Sequence, residues 1–196
     1  MTLTPLILPV GFLGAGKTTF LRNLLPALHM AGVQPHVFLN DFQSAQVDVA
    51  MLEEDSASLR SISASCVCCG SREELLDALS RFPPEEGNVL IIEANGAVDP
   101  DQLIEMLTLD PRTNGFTLPC QLSVVDTTSW QERPGFDWME AAQLRTSTHL
   151  FFSHSDIATP ERLRAVQCEV SAIAPSAVTV TTESFAGYIA SLRRAK

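Results

Sequence analysis

Residues 11–18 read GFLGAGKT, a complete G-x-x-x-x-G-K-[ST] pattern. They stand between an apolar run, Leu6–Val10, and an amphipathic stretch carrying Phe20, Leu21, Leu24, Leu25 and Leu28. No other feature of the chain restricts its fold as much. A strand, a glycine-rich turn and a helix in that order make a cradle for phosphate, because the turn aims backbone N–H groups inward and the helix N-terminus adds positive potential. On this pattern Gly11, Gly14, Ala15 and Gly16 supply the turning amides. Lys17 reaches the β- and γ-phosphates, and the Thr18 hydroxyl holds Mg²⁺, with Thr19 next along the helix. Lysine occurs in the chain only at Lys17 and Lys196, so its presence at this position does not reflect abundance.

The rest of the chain fits an α/β fold built around that turn. Further runs that read as strands are His36–Asn40, Val89–Glu93, Leu122–Asp126, His149–Ser153 and Ala177–Thr181. Most are continuously apolar, as expected of parallel strands covered on both faces. Helices are marked by their caps: Ser71 with Glu74 ahead of Leu75, Leu76 and Leu79, Asp99 followed by Pro100, and Thr159 followed by Pro160. Leu163, Val166, Val170 and Ile173 recur at helical spacing, as do Phe185, Tyr188, Ile189 and Leu192. Pro26 is expected to kink or end the first helix. Residues 110–119 and 131–137 read as loops. With 196 residues, 45% apolar, and no linker, the pattern predicts one three-layer P-loop domain over residues 1–196, a mostly parallel sheet flanked by helices.

Charge narrows the partners. The 23 acidic side chains outnumber 13 basic ones for a net charge of −10, which argues against nucleic acid and against an anionic membrane surface. No apolar run approaches the ~20 residues of a spanning helix, and the N-terminus lacks the basic region of a secretory signal. Five cysteines, three of them within four residues, read as reduced thiols and a cytoplasmic protein.

Two acids are placed to serve a metal beside the phosphates: Asp41, just past the second strand, and Glu93, ending VLIIE, with Gly96 beyond it to let backbone approach a γ-phosphate. Cys66, Cys68 and Cys69 lie in SASCVCCGS, between a β-like stretch and the helix at Ser71. Three thiolates in a loop suit Zn²⁺ or a similar soft-liking ion such as Cu⁺, Co²⁺ or Ni²⁺, with a fourth position left open. Buried structural cysteines or a redox pair are the other readings of that run. Cys120 and Cys168 stand singly and read as packing residues.

The order GFLGAGKTTFL, NDF, SCVCC, EANGAVDP, VVD and SHSD resembles the CobW-type metallochaperone GTPases, along nearly the whole chain. The resemblance implies a P-loop GTPase domain that binds GTP with Mg²⁺, and cysteines 66, 68 and 69 binding Zn²⁺ or a similar ion in concert with nucleotide. It places Glu93 and Gly96 in the Walker B segment and Asp41 in the first switch. The family's base-reading N-K-x-D falls on Ser153, His154, Ser155 and Asp156. Asp156 matches and would accept from the guanine N–H groups, whereas Ser153 replaces the asparagine and His154 the lysine. Ala64 and Ser65 stand where the family has Asn-Gly, and the family's C-terminal domain is expected to be absent.

Together these readings predict a slow GTPase in which Lys17, Thr18 and Glu93 carry the chemistry. Nucleotide state would open and close the cysteine loop for delivery of a metal to a client metalloprotein, and a homodimer is compatible. Two other classes are open on the residues alone. One is a small-molecule kinase with Arg112 or Arg133 in a lid, and the other a degenerate P-loop module acting as a scaffold.

Overall fold

The computed structural model describes residues 3–39, 58–61, 71–82 and 87–192. Seven strands among them form one parallel sheet: β1 (Leu6–Val10), β2 (Gln34–Leu39), β3 (Ser58–Ser61), β4 (Asn88–Glu93), β5 (Cys120–Asp126), β6 (His149–Ser153) and β7 (Val178–Thr179). Their order across the sheet is β3-β2-β4-β1-β5-β6-β7. β1, β4 and β5 are buried at every position, as expected of LILPV and of the apolar VLII of β4, while β5, CQLSVVD, buries Gln121, Ser123 and Asp126 as well. β1 lies between β4 (Ile7↔Ile91) and β5 (Val10↔Ser123), where the connections leave toward opposite edges. The crevice beyond the carboxyl ends of such strands is where α/β sheets bind ligands.

Among the described residues six helices pack on the sheet: α1 (Lys17–Met30), α2 (Ser71–Ser80), α3 (Pro100–Leu109), α4 (Asp137–Gln143), α5 (Pro160–Ile173) and α6 (Thr182–Leu192). Successive strand residues point to opposite faces, so Ile7 joins one core and Leu6, Leu8 and Val10 another. The first core is closed by Phe20, Leu21, Leu24, Leu25 and Leu28 of α1 with Phe185 and Ile189 of α6. The second is closed by Leu75, Leu76 and Leu79 of α2 with Leu103 and Met106 of α3. Val166 and Val170 of α5 cover a third cluster around Val125, Leu150 and Phe152. Two caps form as read: Asp99 accepts from the Asp101 N–H at 3.1 Å, and Thr159 from the Arg162 N–H at 3.2 Å.

Several expectations are corrected. Pro26 neither ends nor breaks α1, which continues to Met30. Pro26 and Arg22, whose carbonyl loses its donor, both face solvent, while fully buried Leu24, Leu25 and Leu28 hold the helix to the sheet. The β-like stretch expected ahead of the cysteines is present, as β3, an edge strand among the described residues, paired with β2. β7 is two residues long rather than five and exposed. α4 follows the 131–137 loop without having been anticipated, and a short 3-10 turn at Pro111–Thr113 interrupts the other expected loop. Cys168 is exposed on α5 and does not pack, whereas Cys120 is buried. Among the described residues no helix is long and apolar enough to cross a membrane.

Candidate nucleotide site

The turn after β1 is built as the motif requires. Ala15 N donates back to Phe12 O at 3.0 Å, and Gly16 caps α1 in the left-handed region, φ 92°, a conformation that side chains with a Cβ rarely adopt. The first turn of α1 carries no acidic residue of its own, which suits its N-terminus to an anion. Lys17 is buried at 7% exposure, and its Nζ donates to Gly11 O at 2.9 Å and Phe12 O at 3.4 Å. The ammonium therefore lies inside the loop whose amides would face an anion.

Glu93 ends β4 at the neighbouring strand and is also buried, 5% exposed. The Thr18 hydroxyl donates to Glu93 Oε1 at 3.0 Å, joining residues 75 positions apart. A hydroxyl and a carboxylate in contact beside a phosphate cradle are hard oxygen donors of the kind Mg²⁺ takes, so the donor set fits that ion. Beyond Glu93 the chain passes against the loop: a Cβ on Gly96 would stand 2.5 Å from Leu13 N and 2.7 Å from Leu13 Cα. Only glycine lets the two backbones approach this closely.

The opposite wall comes from the turn after β6. The Ser153 hydroxyl reaches Ala15 O at 2.7 Å, so the residue standing for the family's asparagine ties this turn to the phosphate loop. His154 has φ 54° and donates from Nδ1 to Asp126 Oδ1 at 3.0 Å. Asp156 is exposed two residues on. Asp126 also accepts from Thr128 N at 3.0 Å, from Thr128 Oγ1 at 2.7 Å and from the Ser129 hydroxyl. Burial pushes the Asp126 carboxyl up, but hydrogen bonds from Ser129, Thr128 and His154 outweigh it and hold the group well below the usual carboxylate range. An ionised Asp126 is acceptor-only, which fixes the proton of that contact on the His154 Nδ1.

Arg133 links these walls. Its guanidinium lies 4.9 Å over the Phe12 ring and bonds Asp126 at 3.2 Å and the Glu140 carboxylate. Arg112 is likewise held, by Asp110 at 2.8 Å, Glu73 at 2.9 Å and Asp77 at 3.2 Å. Both arginines considered for a kinase lid are thus committed to carboxylates. Sequence reading gave no sign of the Ser153 tie, whose partners lie 138 positions apart, or of the Asp126–Arg133–Glu140 group, whose members follow one another at seven-residue intervals without matching any motif. Asp41, Cys66, Cys68 and Cys69 lie outside the described residues. Among the described residues no three His, Cys, Asp or Glu side chains are grouped to hold a metal.

The profile of the CobW/HypB/UreG nucleotide-binding domain matches residues 5–181. The chain belongs to the CobW/HypB/UreG family. Among relatives in that family, the zinc chaperone YjiA of Escherichia coli is 29% identical over 173 residues, 84% of this chain and 54% of YjiA. The zinc chaperone YeiR of the same organism is 30% identical, covering 85% of this chain and 51% of YeiR. The chain thus spans about half the length of these CobW-type relatives. Solved structures agree in fold: the hydrogenase maturation factor HypB of Archaeoglobus fulgidus superposes with a TM-score of 0.67 at 16% identity, covering 98% of this chain and 91% of HypB. Zn(II)-bound YjiA GTPase of E. coli gives 0.65 at 21% identity, covering 92% of this chain and 58% of YjiA.

Proposed function

We propose that this chain binds GTP with Mg²⁺ at the turn after β1, hydrolyses it slowly, and couples nucleotide state to a transition metal held by Cys66, Cys68 and Cys69. The observation that carries the reading is the contact between the Thr18 hydroxyl and Glu93 beside the buried ammonium of Lys17. The phosphates enter among the amides of residues 11–18, and Lys17 exchanges the carbonyls of Gly11 and Phe12 for β- and γ-oxygens. Thr18, Glu93 and, from the first switch, Asp41 hold Mg²⁺, which when bound neutralises charge on those oxygens. Catalysis by the chain itself is electrostatic: Lys17 and the loop amides meet the charge that spreads over the transferring phosphoryl. Asp156 accepts from guanine N1–H and N2–H, donors that adenine lacks at those positions. His154, oriented by Asp126, stands beside the base.

The relatives named zinc chaperones support a metal cargo, and thiolates suit Zn²⁺, with Co²⁺ and Ni²⁺ as chemical alternatives. The metal then passes to a client metalloprotein, and the protein acts in the cytoplasm. Titration calorimetry with GTP, GDP and ATP tests the nucleotide half. Mg²⁺-dependent binding of GTP, much weaker binding of ATP and loss of both on Lys17→Ala are expected, and a wild-type protein that binds none of them overturns the reading. A zinc affinity that is equal with and without a GTP analogue removes the coupling.

A further inference from the structure

Gln143, the last residue of α4, is 2% exposed and was not marked by any motif. Its Nε2 donates to two main-chain carbonyls of the segment after β4, Gly96 O at 3.0 Å and Val98 O at 3.1 Å. Those bonds use both N–H groups of the amide. Its Oε1 is buried and has no hydrogen-bond partner among the described residues. A buried acceptor left unpaired is a standing cost of this arrangement.

The clamped segment is the one whose Gly96 backbone lies against Leu13 of the phosphate loop. At present the Gly96–Ala97 peptide turns its carbonyl to Gln143 and its N–H to Asn95 Oδ1, at 2.9 Å. A half-turn of that peptide exchanges carbonyl for N–H. Glycine permits the turn, and Gln143 meets it by rotating its own amide, so that Oε1 gains the donor it lacks while Val98 O gives up the one it has. The helix is fixed in place for this, because Glu140, one turn earlier, is bound to the Arg133 that stacks on Phe12.

We infer that Gln143 is a positioning residue that holds the segment after β4 by donating to it, and changes from donor to acceptor when a bound γ-phosphate favours the turned Gly96–Ala97 peptide. The inference rests on the proposed reading of the site as a triphosphate site. Gln143→Glu keeps the acceptor and removes the donors, so it weakens the held arrangement and supports the turned one. The preference for a non-hydrolysable GTP analogue over GDP should rise roughly five-fold or more. A folded Gln143→Glu protein with an unchanged or lower preference overturns the inference. If that variant does not fold, the wild-type protein decides it by NMR of the Gln143 side-chain amide. Its two N–H resonances should shift between the GDP and analogue complexes, and identical resonances in both overturn the inference. Failure of the wild type to bind any nucleotide is a different result, one that overturns the triphosphate reading and this inference with it.

Discussion

Replacing Gly96 by alanine puts a methyl group where two backbones meet. The new Cβ would stand 2.5 Å from Leu13 N and 2.7 Å from Leu13 Cα, against 3.4 Å or more for an ordinary contact. About 1 Å must be found, and main chain has to yield it, since Gly96 and the Leu13 atoms are all backbone. Overpacking of this kind costs about 1–3 kcal/mol. For a chain of this size that lowers Tm by roughly 3–10 °C. The functional loss should be larger than the stability loss suggests, because the displaced atoms belong to the phosphate loop. A misplacement of about 1 Å at a reacting centre costs up to ~100-fold in rate. Thermal melting and GTP turnover measured together are the assay, with Gly115→Ala as the control, since a Cβ there meets nothing within 4 Å. A Gly96→Ala protein that melts and turns over like its parent would refute the close approach as a functional constraint.

Other expectations follow from single contacts. Thr18→Ala should weaken GTP binding about ten-fold in Mg²⁺ and hardly at all in a chelator, a contrast read by calorimetry under both conditions. Ser153→Ala removes the tie to Ala15 O and should cost about 1 kcal/mol in urea unfolding, together with some loss of GTP affinity. Burial pushes the His149 pKa below its ordinary 6.5, so the folded state disfavours the imidazolium. The sign follows: the unfolded chain binds the proton better, stability is full above about 6.5, and it declines as pH falls through that value. His149→Phe, which keeps a ring against Phe185 and Tyr188, should remove that step from a series of melts between pH 8 and pH 5.

Local signals gave the frame of the fold, and long-range contacts supplied what they could not. β1 and β6 begin and end where their apolar runs do, and the caps at Asp99 and Thr159 form because cap chemistry is settled within three residues. α4 escaped notice because DWMEAAQ follows a Pro- and Gly-containing loop and its N-cap, Phe136, makes no side-chain bond. Pro26 misled because a breaker rule sees one lost hydrogen bond, not three fully buried leucines on the other side of the helix. At the site, a carboxylate beyond four apolar residues was visible at Glu93, but its contact with Thr18 spans 75 positions and has no periodic signature. The same holds for Ser153 on Ala15 and Gln143 on Gly96, where a side chain finds a carbonyl that any residue would have presented.

The hold of Gly11 and Phe12 carbonyls on Lys17 bears on how the site behaves between successive ligands. If a polyphosphate binds there as proposed, the ammonium it leaves on departure has oxygen atoms to return to within its own turn. No bare cation would then be stranded in a dry interior, and the first loop would have no need to unfold before it is presented ready-made to the next arrival.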